Sequence, residues 1–167
     1  MKKVIIFDTS ILCCWLQVHR KETCGPAEDQ WDHDRVKSYI QACQGATFVL
    51  PLAAIIETGN HISQASAQRH ECAIKLCELI KKAAAENEPW AAFNHQDHLW
   101  GKEHLLNLVE QWPEMASRKL SLGDSTIIKV AEFYSNIGFD VQILTGDEGL
   151  KSYSPLIHPL TPRRRRI

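Results

Sequence analysis

The 167-residue sequence has no apolar run long enough to cross a membrane: the longest, residues 48–56, falls well short of the roughly 20 residues a spanning helix needs. It also lacks a surplus of charge. With 19 basic against 20 acidic residues the formal net charge is -1, so no global basic field marks a nucleic-acid binder. No CxxC pair occurs, and six irregularly spaced cysteines without a secretion signal are read as reduced, buried thiols rather than a disulfide set. Cys72 and Cys77, five apart in a helical segment, point about 140° away from each other, which does not suit a shared zinc. A leader peptide is not expected either, because Asp8 interrupts the run Val4 to Phe7 and no small-residue cleavage site follows. These absences predict a soluble, cytoplasmic protein with no membrane association.

A composition of 44% apolar and 23% charged residues suits a globular chain and excludes collagen-like, mucin-like or wholly disordered classes. The length fits a single domain, taken as residues 1–160, with residues 161–167 a flexible basic tail. Arg163, Arg164, Arg165 and Arg166 crowd that tail; without them 15 basic residues face 20 acidic ones, so the body is mildly acidic.

Strand and helix patterns alternate along the chain. The apolar run at residues 4–7 predicts a buried parallel strand, with a helix over 9–18. A loop over 20–30 precedes a helix over 32–42. A strand at 46–50 ends at Pro51, which opens a helix reaching residue 66. Helices over 69–86 and 104–111 flank a short third strand at 90–93. Ile127, Val130, Ala131 and Tyr134 fall at i, i+3, i+4 and i+7, the apolar face of a helix that begins at Asp124 and is ended by Gly138. A strand over 141–145, a turn at 146–149 leading into a short helix, and an edge strand at 156–158 complete the order. Such alternation predicts an α/β fold, a three-layer α/β/α sandwich around a mainly parallel sheet.

Four acids stand out. Asp8 is, histidines aside, the only charged residue between Lys3 and Arg20, and it sits where the first strand gives way to a helix. Glu57 is the only formally charged residue between Lys37 and Arg69. Asp124 begins the late helix, and Asp147 follows the last internal strand. Helix capping is an alternative for Asp8, Asp124 and Asp147, and solvent exposure, with a partner in His61 at i+4, for Glu57. In a parallel sheet the carboxyl ends of the strands share one edge, so the four acids should converge there. Converging carboxylates repel one another and need a multivalent cation; all-oxygen ligation selects Mg²⁺ or Mn²⁺. Such an ion activates water against a phosphodiester.

At these residues the chain resembles the PIN-domain family, as in VapC-type toxins of toxin-antitoxin systems. Ile5-Ile6-Phe7-Asp8-Thr9-Ser10 is similar to the family's first strand and its Asp-Thr-Asn/Ser signature, and Leu50-Pro51 through Ile56-Glu57 to its second strand and glutamate-bearing helix. Leu122-Gly123-Asp124 and Leu144-Thr145-Gly146-Asp147 are similar to its third and fourth acidic motifs. The resemblance implies a Mg²⁺- or Mn²⁺-dependent endoribonuclease acting on single-stranded RNA. Asp8, Glu57, Asp124 and Asp147 would be catalytic metal ligands, with Ser10 and Thr145 in support. It also implies frequent homodimerisation and, for a toxin, an antitoxin partner. The chain departs from a minimal toxin around residues 20–34 and 86–117, which are read as a lid or partner surface.

Lys151, one turn after Asp147, and Arg163 to Arg166 are candidates for the RNA backbone, with Arg20, Lys21, Arg118 and Lys119 behind them. Two other readings stay open. One is a non-catalytic PIN-like scaffold or RNA-binding module. The other is a phosphatase of the haloacid-dehalogenase type, opposed by Ser10 and Lys151 standing where that chemistry needs acids. His95-Gln96-Asp97-His98 is read as surface polarity rather than a zinc site, and Trp90, Trp100 and Trp112 as packing rather than base-stacking residues.

Overall fold

A computed structural model describes residues 2–91 and 93–153. Three parallel strands form its sheet: β1 (Lys3–Phe7) lies between β2 (Thr47–Val49) and β3 (Asp140–Leu144). Ile5 stands opposite both Phe48 and Gln142 in register. Val4, Ile5, Ile6 and Phe7 are fully buried, as expected for a central strand covered on both faces. The helices in chain order are α1 (Thr9–Leu16), α2 (His33–Ala42), α3 (Leu52–Gln64), α4 (Arg69–Ala84), α5 (Lys102–Ser117), α6 (Leu122–Asn136) and α7 (Glu148–Lys151). α6 packs on β1 and β3, α1 on α2, α3 and α4, α3 also on α4 and α6, and α5 on α6. Among the described residues no helix is long and apolar enough to cross a membrane.

The third strand expected at residues 90–93 is reduced to a single parallel bridge between Phe48 and Trp90. Pro89 can accept from Phe48 N–H but has no N–H of its own to extend the ladder. Phe93–Trp100 then winds into a 3-10 stretch. Gln96 within it is buried and does structural work: its amide donates to the Leu50 carbonyl (3.1 Å) and its oxygen accepts from Leu52 N–H (3.2 Å). That clamp ties the end of β2 to the start of α3. His95 bonds the Tyr134 hydroxyl at 3.1 Å and His98 packs at a tilt against Phe133, so these two histidines take part in packing.

α5 is longer than expected and runs through Pro113, which removes one hydrogen-bond rung. Its Leu105, Leu106 and Val109 are exposed. The edge strand expected at 156–158 and the arginines 163–166 lie outside the described residues. Trp90 belongs to the core: Phe7 lies 5.6 Å from the Trp15 ring, 5.5 Å from Phe48 and 5.7 Å from Trp90. Phe7→Ala is expected to cost about 3–5 kcal/mol in urea unfolding, since it empties the centre of this cluster. A loss below about 1 kcal/mol would show that the cluster does not hold the sheet.

Candidate active site

The carboxyl end of β1 delivers Asp8 into the protein interior, only 4% exposed. Its backbone N–H still bonds the Leu144 carbonyl of β3, so the sheet itself fixes the residue (3.1 Å). Oδ2 of Asp8 accepts from the Ser10 hydroxyl (2.8 Å), the Ser10 N–H (3.4 Å) and the Thr145 hydroxyl (2.7 Å). Ser10 in turn accepts from Gly146 N–H, and Thr145 from Asp147 N–H, which couples the turn after β3 to the end of β1. Burial pushes the Asp8 carboxyl above its ordinary value; the bonds from Thr145, Ser10 and the Thr9 amide oppose this, and the charge of Asp124 adds to it.

Glu57 reaches the same place from the middle of α3, held by the Thr9 hydroxyl on Oε2 at 2.9 Å. Gly123 makes its position possible. A Cβ there would collide with Oε1 of Glu57, so glycine lets that carboxylate lie against the first turn of α6. Asp124, in that turn, completes a capping box: Ser121 N–H donates to its Oδ2 and its own N–H donates to the Ser121 hydroxyl, both at 2.9 Å. Asp147 caps α7, accepting from Gly149 N–H (2.7 Å) and Leu150 N–H (3.2 Å) through Oδ1. Capping is therefore real for Asp8, Asp124 and Asp147, yet it does not use them up. Among the described residues, Oε1 of Glu57, Oδ1 of Asp124 and Oδ2 of Asp147 carry no hydrogen bond.

All four acids line one open cavity of about 530 Å³, together with Thr9, Ser10, Cys13, Lys21, Thr23, Cys24, Asn60 and His61 among others. The loop between α1 and α2 forms one wall. It comes close because Gly146 has no side chain: a Cβ there would fall 2.8 Å from the Gly25 nitrogen. Cys24, joined to Trp31 by an antiparallel bridge, fills the gap. The extra residues 20–34 are thus part of the cavity, not an appendage.

Lys151 does not reach it. Its ammonium bonds Asp29 at 2.9 Å and lies 3.5 Å from Glu148, and Arg35 holds the other oxygen of Asp29. Lys151 thereby fastens α7 to the loop. Sequence reasoning missed Thr9, which holds Glu57, and the role of Gly123. Thr9 follows Asp8 directly and so was near the signal; Gly123 could be found only from the approach of a chain segment 66 positions away.

The donor set would suit a hard divalent cation by its chemistry alone. It offers oxygen alone, and among the described residues none of the four acids is in an ion pair. The set is not closed, however: among the described residues no group of three or more His, Cys, Asp or Glu side chains is arranged to hold a metal ion.

Compared with models of protein families, with curated proteins and with solved structures, the chain matches none.

The raised Asp8 value sets a pH dependence. The folded chain keeps this proton to higher pH than the unfolded chain, so the contribution is full below the ordinary carboxylate range. It is lost as pH rises through the raised native value. Asp8→Asn should therefore be more stable than the natural chain at neutral pH without divalent ions, read as a higher urea midpoint. The gap should close in acid; a gap that is the same at both pH values would contradict the assignment.

Proposed function

We propose that this chain is a Mg²⁺- or Mn²⁺-dependent endoribonuclease of PIN-like, three-layer α/β/α architecture that hydrolyses phosphodiester bonds in single-stranded RNA. One observation carries the proposal. Four acids drawn from four separate stretches of chain line a single cavity beyond the ends of β1 and β3. A cavity with that many carboxylates and few bases repels anionic substrates unless a cation intervenes, and a divalent ion bound there would polarise a phosphoryl oxygen and acidify a water molecule.

The roles of the residues follow from their bonds. Asp8 is the anchor, because Ser10 and Thr145 fix one oxygen and burial fixes its direction. Thr9 orients Glu57, leaving Oε1 turned to α6. Asp124 and Asp147 offer their second oxygens from the N-terminal ends of α6 and α7. Ser10 and Thr145 act through Asp8 and through the turn that carries Asp147.

The capping bonds support a second reading, a domain that binds RNA through the same surface without cutting it. The two readings separate cleanly in one assay. The purified chain should cleave single-stranded RNA with Mg²⁺ or Mn²⁺, fall silent under chelation, and lose on the order of a hundredfold or more of its rate in Asp124→Asn with its thermal midpoint retained. Equal rates for Asp124→Asn and the natural chain would sink the nuclease proposal; binding without cleavage in either metal would favour the second reading.

Gly123→Ala gives a finer test. The atom displaced is the end of a flexible side chain, so stability should change little, within about 0.5 kcal/mol. Cleavage should nevertheless fall by roughly a hundredfold, the cost of a misplacement of about an ångström. Full activity in Gly123→Ala would remove Glu57 from the proposed machinery.

A further inference from the structure

The carboxylate cavity does not end at the acids. Along α3, Glu57 is followed at helical spacing by His61 and Gln64, and both side chains, with Lys21, line the cavity wall. The same three residues also line a second hollow of about 300 Å³, whose other walls are His19, Arg20, Ala65 and Ser66. The two cavities thus share a wall, and the composition changes sign across it: four acids on one side, none on the other.

The second hollow is held in a defined shape. His19 Nδ1 pairs with the Ser66 hydroxyl at 3.0 Å, which joins the chain after α1 to the connection between α3 and α4. Lys21 N–H bonds the Val18 carbonyl at 2.8 Å. Ala65 in its wall is held from behind, its carbonyl accepting from a guanidinium nitrogen of Arg69 at 3.2 Å. Arg20 in its wall takes a left-handed backbone angle, φ 66°, as do Gln17 and Gln68 elsewhere in the two connecting segments, each with φ 58°. Non-glycine residues adopt that region at a cost, so the fold imposes these positions. Among the described residues, neither Arg20 nor Lys21 has a carboxylate within ion-pair distance.

Glu22 is the acid beside His19. Its carboxyl is held below its ordinary value chiefly by main-chain N–H groups of Glu22 and Arg20, so its charge is spent within its own loop. It does not line the hollow. His61 is pushed below its ordinary value by burial and by Lys21, against the pull of Glu57, and so presents a neutral imidazole.

We propose that Arg20 and Lys21, with the imidazoles of His19 and His61, form a phosphate subsite that grips the backbone of a single-stranded nucleic acid next to the carboxylate cavity. The subsite rests on the nuclease reading for its purpose but not for its chemistry. Two unpaired cations and two imidazoles in a pocket without acids suit a phosphodiester whatever happens at its neighbour. The hollow is open and contains no Phe, Tyr or Trp, so it would hold the backbone and leave the bases outside, giving little sequence preference. Lys21, common to both cavities, stands where the strand would pass from one to the other.

The test is a fluorescence-anisotropy titration of labelled oligouridylate over a salt series. It uses Asp124→Asn protein with Mg²⁺ and compares it with the same protein carrying Arg20→Gln and Lys21→Gln. Glutamine leaves the backbone demand at position 20 unchanged, and thermal midpoints verify folding. The double substitution should weaken binding and reduce the log–log salt slope by roughly 1.4, about 0.7 for each single-strand phosphate contact. Lys75→Ala, whose ammonium is already paired with Glu71, should leave the slope unaltered. Unchanged affinity and slope in the double variant would overturn the subsite, as would failure of the parent protein to bind the oligomer at all. RNA cleavage by the natural chain alongside indifferent binding would reject the subsite and leave the nuclease standing. Binding that depends on Arg20 and Lys21 in a chain that cuts nothing would do the reverse.

Discussion

A carboxylate buried at the end of the central strand is the constraint from which the rest of the site follows. Asp8 is part of the sheet through its backbone and part of the cavity through its side chain. Its charge is opposed by burial and by Asp124, and softened only by hydroxyl and amide donors. Such a group is costly to ionise and is commonly kept for function rather than stability. Around it the protein builds outward. Ser10 and Thr145 orient the anion and lock the turn that carries Asp147, while the neighbouring Thr9 reaches across to hold Glu57.

The sheet is small, and it makes up for this with covering material. Phe7 gathers Trp15, Phe48 and Trp90 around the end of β1, and Gln96 fastens α3 to β2, whose outer side carries only the Phe48–Trp90 bridge among the described residues. Gly146 and Gly25 let the α1–α2 loop close against the turn after β3, and Asp29 secures that loop through Arg35 and Lys151. Rigidity at the cavity thus comes from loops pinned by a few polar links as well as from regular structure.

Much of this was legible in the sequence where a local rule applies. The runs that became β1, β2 and β3 ended near their expected residues because β-branched segments bounded by Asp8, Pro51 and Gly146 leave little choice. Glu57 drew notice by its isolation, and the placement of the four acids at or after the carboxyl ends of parallel strands predicted their meeting at one edge. The strand expected at 90–93 failed because apolar residues after Pro89 were read by pattern, whereas one unpaired backbone position decides whether a ladder extends. Lys151 was placed by sequence distance from Asp147, but a partner 122 positions away claims it. The loop at 20–34 held two surprises, since neither its close packing on Gly146 nor the exposure of Arg20 and Lys21 beside α3 follows from periodicity.

The cavity pairs a concentration of negative charge with a neighbouring hollow of positive charge, an arrangement suited to a cation on one side and a polyanion on the other. The nuclease proposal depends on the four acids acting together on bound metal. A Mn²⁺ titration followed by electron paramagnetic resonance tests this most directly. The account predicts saturable uptake that is sharply weakened by Glu57→Gln and by Asp147→Asn alike, although these residues lie on different elements. Uptake that is absent, or that either substitution leaves unchanged, would contradict it.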